Sequence, residues 1–213
     1  MLNIINDILD ISKIEAGKLE LESVETNLIK LLEDAVDMIK IEAHKKDLKL
    51  LLNFDMSLLG TTFDLDPVRF KQVINNLLSN GVKFTEEGEV ELKAQLQERK
   101  GNTAQVRFEV RDTGIGIKEG KKEEILEYFT QADGSTTRQF GGSGLGLAIS
   151  KRIVEKMGGK LDFESSIGEG SAFYFTLELK ILKDKGINTE DLEVEKVLLI
   201  DNDADNLNIM QRI

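Results

Sequence analysis

The sequence predicts an α/β (α+β) two-layer sandwich, a mixed sheet packed on helices and preceded by one long helix. Three observations predict it. Helical and alternating apolar periods succeed one another from about Glu22 to Leu182. Two pairs of strand-like segments are joined by short glycine turns. Eight of the 18 glycines fall between Gly114 and Gly146, in a stretch that runs straight into a helical pattern.

Residues 1 to 22 read as one helix, with Leu2, Ile4, Ile5, Ile8, Leu9, Ile11, Ile14 and Leu19 covering more than one stripe. A helix this apolar needs a partner, either another helix or its own domain. Its start at Met1 without a cap suggests a sequence that begins inside a larger structure. Residues 28 to 45 are helical by Leu28, Leu31, Leu32, Ala35, Met38, Ile39 and Glu42, and Leu48 to Phe54 is a strand with Leu50, Leu52 and Phe54 on one face. Asp66-Pro67 starts a helix with proline in its first turn, continuing through Phe70, Val73, Ile74, Leu77 and Leu78 to Phe84. Glu89 to Glu98 and Thr103 to Arg111 form a hairpin across Lys100-Gly-Asn102. After the glycine-rich stretch, Leu147, Ile149, Ile153, Val154 and Met157 mark a helix stopped by Gly158-Gly159. Lys160 to Ser165 and Ala172 to Leu179 then pair across Gly168-Glu-Gly170. Lys180 to Glu195 is charged and aperiodic, as a linker is. Lys196-Val-Leu-Leu-Ile-Asp-Asn-Asp203 reads as a short buried strand ending in acids, with a helix start at Asp205.

Composition bounds the function. The chain has 213 residues, 40% hydrophobic and 31% charged, with a net charge of −11 and one proline. That is enough for one good core plus attachments. The absence of cysteine removes disulfides, thiol catalysis and thiolate metal sites, and a single histidine argues against zinc. The acidic balance, with no basic stripe and interleaved aromatics, argues against a nucleic-acid partner. No run approaches 18 apolar residues and no secretory leader opens the chain, so no direct membrane insertion is expected. The expected location is the cytoplasm, which leaves room for a membrane-anchored parent protein.

Glycine lets backbone approach a ligand closely and turns free amides toward phosphate oxygens. Gly141-Gly-Ser-Gly-Leu-Gly-Leu147 therefore opens a helix N-terminus as an anion site, the plain alternative being a flexible loop with no ligand. Neither G-x-x-x-x-G-K-[ST] nor a G-x-G-x-x-G after a strand occurs, which excludes two other phosphate loops. On a helix from Pro67 to Phe84, Asn76, Asn80 and Lys83 share one face, while Phe70, Val73, Ile74, Leu77, Leu78 and Val82 supply the core. An asparagine carbonyl can serve magnesium held chiefly by phosphates, and Lys83 can neutralise phosphate charge. Taken alone, the asparagines could equally cap local backbone or face water. Asp112, at the end of a strand, can accept from an exocyclic amine such as adenine's. An ion pair or a turn cap is the ordinary alternative, and only the clusters together set it aside.

Those clusters carry a resemblance. Residues 24–182 resemble the ATP-binding catalytic domain of sensor histidine kinases, within the Bergerat-fold ATPases. Asn76-Leu-Leu-Ser-Asn-Gly-Val-Lys-Phe-Thr85 looks like the N box and Asp112-Thr-Gly-Ile-Gly-Ile117 like the first glycine box. Glu127-Tyr-Phe-Thr-Gln-Ala-Asp133 looks like the F box, and Gly142-Ser-Gly-Leu-Gly-Leu147 like the second glycine box, all in the family's order. The resemblance implies ATP and Mg2+ as cofactors. Asn80 would hold the metal, Asn76 would support the site, Lys83 would touch phosphate and Asp112 would read the adenine amine, with Gly114, Gly116 and Ile117 beside the base. Gly142, Ser143, Gly144, Leu145, Gly146 and Leu147 would receive phosphates. Residues 118–141 would form a lid anchored by Phe129, with Arg138 available to the γ-phosphate, and Ser171 stands where the family usually has threonine. Lys118, Lys122 and Leu126 depart from the usual lid residues, which suggests a looser lid.

Residues 1–23 resemble the second helix of the family's dimerisation and histidine phosphotransfer hairpin; a homodimer through residues 1–22 is one option, although the family's four-helix bundle would lack two helices. The helix that carries the acceptor histidine is absent, and the chain's only histidine, His44, lies inside the nucleotide domain. Residues 183–195 would be a linker, and residues 196–213 resemble the truncated start of a receiver domain in which Asn202 separates Asp201 from Asp203. The function implied is presentation of Mg-ATP for γ-phosphoryl transfer to a histidine outside this chain. The partners implied are an acceptor hairpin and a receiver domain. Two alternatives remain: another Bergerat ATPase, disfavoured because asparagine stands at position 76 where those enzymes place a glutamate base, and a nucleotide-responsive interaction module without catalysis.

Overall fold

A computed structural model describes residues 10, 12, 13, 16–118, 125 and 145–184. Seven strands form one sheet: β1 (Val24–Asn27), β2 (Lys49–Phe54), β3 (Thr61–Leu65), β4 (Glu89–Lys100), β5 (Thr103–Asp112), β6 (Asp162–Ser166) and β7 (Gly170–Asp184). The order is β1-β3-β7-β5-β4-β2, with β6 pairing the first half of β7 while β3 pairs its far end. Only the β2–β4 pairing is parallel, so the sheet is mixed, as expected. Helices α1 (Leu28–Lys45), α2 (Pro67–Phe84) and α3 (Gly146–Lys156) make the second layer.

Each helix is bounded by groups that satisfy its open ends. Asn27 caps α1 by accepting from the Lys30 amide at 3.0 Å. The other end closes with Asp47 at φ 55, whose amide bonds His44 O while that of Leu48 bonds Ala43 O. Asp66 caps α2 by accepting from Val68 and Arg69, and its second oxygen takes the Glu22 amide at 2.9 Å. The C-terminal pole of α2 is covered by Lys46, whose Nζ donates to the carbonyls of Val82, Lys83 and Thr85 at 2.7–3.0 Å. Gly158 and Gly159 bond back to Glu155 and Val154 and end α3 where the sequence indicated.

The core lies between the layers. Phe70 of α2 meets Phe108 of β5 edge-on at 4.9 Å, and Phe108 meets Phe175 of β7 at 5.2 Å, all three fully buried. Alternate residues of β4, β5 and β7 point into this layer. The opposite face is polar: Arg107 lies over the Tyr174 ring and pairs with Glu109, and Lys93 pairs with Glu91. Among the described residues no helix is long and apolar enough to cross a membrane.

Three features differ from expectation. The first helix does not reach residue 22: Ala16 and Gly17 form a turn, with Gly17 at φ 67 and the Lys18 amide returning to Lys13 O, a glycine C-cap. Strands β1 and β3 have no counterpart in the sequence reading. Residues 180–184, read as the start of a charged linker, continue β7, because their charges have partners: Lys183 pairs with Glu25 and Asp184 with Arg99.

Candidate nucleotide site

The carboxyl-terminal half of α2 rests on β4 and β5 where Val90 and Asp112 stand opposite each other, and residues singled out from the sequence gather around that contact. Phe70, Val73, Ile74, Leu77, Leu78 and Val82 turn inward, which leaves Asn76, Asn80 and Lys83 half-buried on the other side. Gly81 makes the approach possible. A side chain there would begin 3.0 Å from Val90 Cγ1 and 3.6 Å from Asp112 Cβ, so the helix rests against the acid.

Asp112 is 7% exposed, and its Oδ1 accepts from the Gly114 amide at 2.9 Å. Burial pushes its carboxyl above the usual carboxylate range, while backbone hydrogen bonds from Gly114 and Ser171 pull partly back. Burial also lowers the Lys83 ammonium, which lies 4.8 Å from the centroid of the Phe84 ring.

The segment after Asp112 is fastened on both sides. Ile115 N–H bonds the Phe84 carbonyl at the end of α2, and Ile115 O accepts from Gly168 in the β6–β7 turn at 2.8 Å. Ile117 N–H donates to Ser165 Oγ at 2.8 Å. Gly114 is thereby held beside Asp112, Gly116 and Ile117 are held against Ser166 and Ser165 of β6, and Ser171 stands directly opposite Asp112 in the β5–β7 ladder.

The second glycine cluster meets the same helix. Asn76 Nδ2 donates to Ser150 Oγ of α3 at 3.0 Å, and a Cβ on Gly146 would lie 2.2 Å from Asn76 Oδ1. Only glycine lets the first turn of α3 sit this close to α2. Leu145, the residue ahead of that turn, is buried and offers no side-chain cap, and Leu147 packs at the edge of the core. Three stretches far apart in sequence, around Asn76, Asp112 and Gly146, thus converge. Phe129, Arg138, Gly142, Ser143 and Gly144 lie outside the described residues, as do Lys122, Leu126 and nearly all of the expected lid.

Sequence reasoning missed Ser150, Ser165 and Lys46. Each acts through bonds set by tertiary register, and a lone serine or lysine carries no motif. The basic residue at the end of α1, just ahead of a strand, was the one available signal for Lys46.

By fold and by this convergence the molecule is a nucleotide-binding ATPase domain. The chain belongs to the histidine kinase-, DNA gyrase B- and HSP90-like ATPase family, whose model matches residues 65–181. It is 44% identical over 196 residues to the sensor histidine kinase GacS of Pseudomonas protegens, covering 90% of this chain and 20% of that protein. It is 40% identical over 181 residues to the signal transduction histidine-protein kinase BarA of Escherichia coli, covering 85% and 20%. Among solved structures, full-length ShkA in complex with AMPPNP matches with a TM-score of 0.73 and 32% identity over 84% of this chain and 36% of that one. The nucleotide-free catalytic domain of the histidine kinase ThkA matches at 0.59 and 26%, over 74% of this chain and 95% of that one. The chain spans about one fifth of the length of the curated relatives it matches. Fold, family and relatives agree on the ATP-binding catalytic domain of sensor histidine kinases.

Proposed function

We propose that this chain presents Mg-ATP for transfer of the γ-phosphoryl group to a histidine imidazole supplied from outside it. The convergence of Asn76, Asp112 and Gly146 carries the proposal: an acceptor for an amine at one end, and a glycine-lined helix start at the other, joined by one polar helix face. Asp112 accepts from the adenine amine, with Gly114, Gly116 and Ile117 along the base and Ser171 beside it. Phosphates lie toward residues 142–147, where the dipole of α3 favours negative charge at the helix start.

The donor set suits magnesium bound mainly through ATP. Among the described residues no group of three His, Cys, Asp or Glu side chains could hold a metal. A neutral Asn80 carbonyl oxygen is the kind of single protein ligand that a phosphate-held magnesium needs. The metal supplies charge stabilisation at the transferring phosphoryl group. The chain's own residues position the base and chain of phosphates, and Lys83 and Arg138 offset phosphate charge. A hydrolytic role has little support, because Asn76 cannot take a proton from water and its amide is committed to Ser150.

Residues 1–23 as part of a dimerisation hairpin, residues 185–195 as linker after β7 and residues 196–213 as the start of a receiver domain belong to the same proposal. So do a cytoplasmic site of action, a homodimer through residues 1–22, and an acceptor hairpin and receiver as partners. Calorimetry with Mg-ATP should give saturable heat, and adding a hairpin that carries the acceptor histidine should give labelled, acid-labile phosphate on the hairpin. The chain alone should remain unlabelled. Absence of heat refutes the site, and acid-labile phosphate on His44 refutes the external acceptor.

A further inference from the structure

Val90, Asp112, Ser171 and Ser165 stand opposite one another on four adjacent strands, β4, β5, β7 and β6. Directly opposed residues share a face of the sheet, so three polar side chains form one row beside the end of α2. The proton count along this row is restrictive. Ser165 Oγ accepts from Ile117 N–H at 2.8 Å and donates to the Gly170 carbonyl at 2.8 Å. A carbonyl can only accept and a serine has one hydroxyl proton. The remaining 3.0 Å contact between Ser165 and Ser171 then requires Ser171 to be its donor.

We propose that Ser165 is a specificity-determining residue that, by fixing the direction of the Ser171 hydroxyl, makes the base pocket a set of acceptors that selects adenine over a 6-oxo purine. With its proton committed to Ser165, Ser171 turns only lone pairs toward a ligand. Asp112, its neighbour in the row, likewise accepts. An exocyclic amine donates to both, whereas a carbonyl oxygen at the same place meets acceptors alone and leaves them without a partner. Ser165 touches no base itself and works through Ser171.

This rests on the ATP-site proposal, and the ratio of GTP to ATP dissociation constants separates the two. Calorimetry on the full chain with Mg-ATP and Mg-GTP should show a marked preference for ATP. In Ser165→Ala the Ser171 proton is released and can be offered to a carbonyl, so the ratio should fall about tenfold, and Ser165→Thr should restore it. Ser171→Ala should lower the ratio similarly, with no further fall when both serines are replaced. If Ser165 merely braces Ile117, both nucleotides weaken in parallel and the ratio is unchanged, which overturns the inference while ATP binding stands. Should Ser165→Ala fail to fold, Ser171→Ala decides, an unaltered ratio again being fatal. A wild-type chain that binds neither nucleotide removes the site and this inference with it.

Discussion

Replacing Asp112 by asparagine should separate stability from binding. The substitution keeps size and shape, and the amide oxygen can still accept from Gly114 as Oδ1 does at 2.9 Å. One carboxylate oxygen becomes an NH2 group where the adenine amine is proposed to donate, so one charge-assisted hydrogen bond is replaced by two opposed donors. Hydrogen bonds to charged groups contribute about 1.5–3 kcal/mol, which at 1.4 kcal/mol per decade is a loss on the order of 10- to 100-fold in Mg-ATP affinity. Folding should respond in the opposite sense. Burial raises the Asp112 pKa in the folded state, so the buried carboxylate opposes folding at neutral pH. The neutral amide removes that cost, and the variant should be at least as stable as the parent at pH 7. As pH falls through the raised folded value toward the ordinary carboxylate range, the parent takes up its proton and the difference should close. Calorimetry gives the affinity, and urea unfolding of the nucleotide-free protein from pH 7 to pH 4 gives the stability. An Asp112→Asn variant that binds Mg-ATP within twofold of the parent, or that loses stability at pH 7, refutes the reasoning.

Asp66→Ala removes the cap of α2 and the bond to Glu22 together, and should cost about 2 kcal/mol in urea unfolding. Lys46→Met leaves the carbonyls of Val82, Lys83 and Thr85 without their donor. It should destabilise by about 1.5–3 kcal/mol with partial recovery in Lys46→Arg, measured in the same assay. Phe108→Ala opens a cavity between Phe70 and Phe175 and should cost about 3–5 kcal/mol, visible as a large fall in Tm.

The sequence was most legible where start signals, apolar period and stop signals coincide. Asp66-Pro67 and the six inward residues define α2 as it is found, ending at Phe84, and Gly158-Gly159 marks the end of α3. Legibility failed where distant chain decides. Thr61-Thr-Phe-Asp-Leu65 has only two apolar residues, and it becomes a strand because β1 and β7 pair with it from either side. Leu19 continued the helical period of residues 1–14 on paper. It is buried instead after a glycine turn, while Glu22 bonds Asp66. The charges of Lys183 and Asp184 looked solvated because their partners, Glu25 and Arg99, are far away in sequence. At the site, Asn76, Asp112 and Gly146 were legible through motifs, but that Asn76 touches Gly146 was not, since nothing local encodes the crossing of α2 and α3.

The Asp112 end of the candidate site is held by regular structure. Asp112 and Ser171 lie on paired strands, and Gly81 packs against Asp112 from a helix whose poles are fixed by Asp66 and Lys46. Arg69, one turn into α2, also holds Asp10 at 2.9 Å with Gln72 bonding the same carboxylate, so the preceding segment bears on that helix too. A site on such elements keeps its geometry without ligand. The proposed base end is therefore built before nucleotide arrives, and little of the ordering cost of binding falls on Asp112 and Ser171.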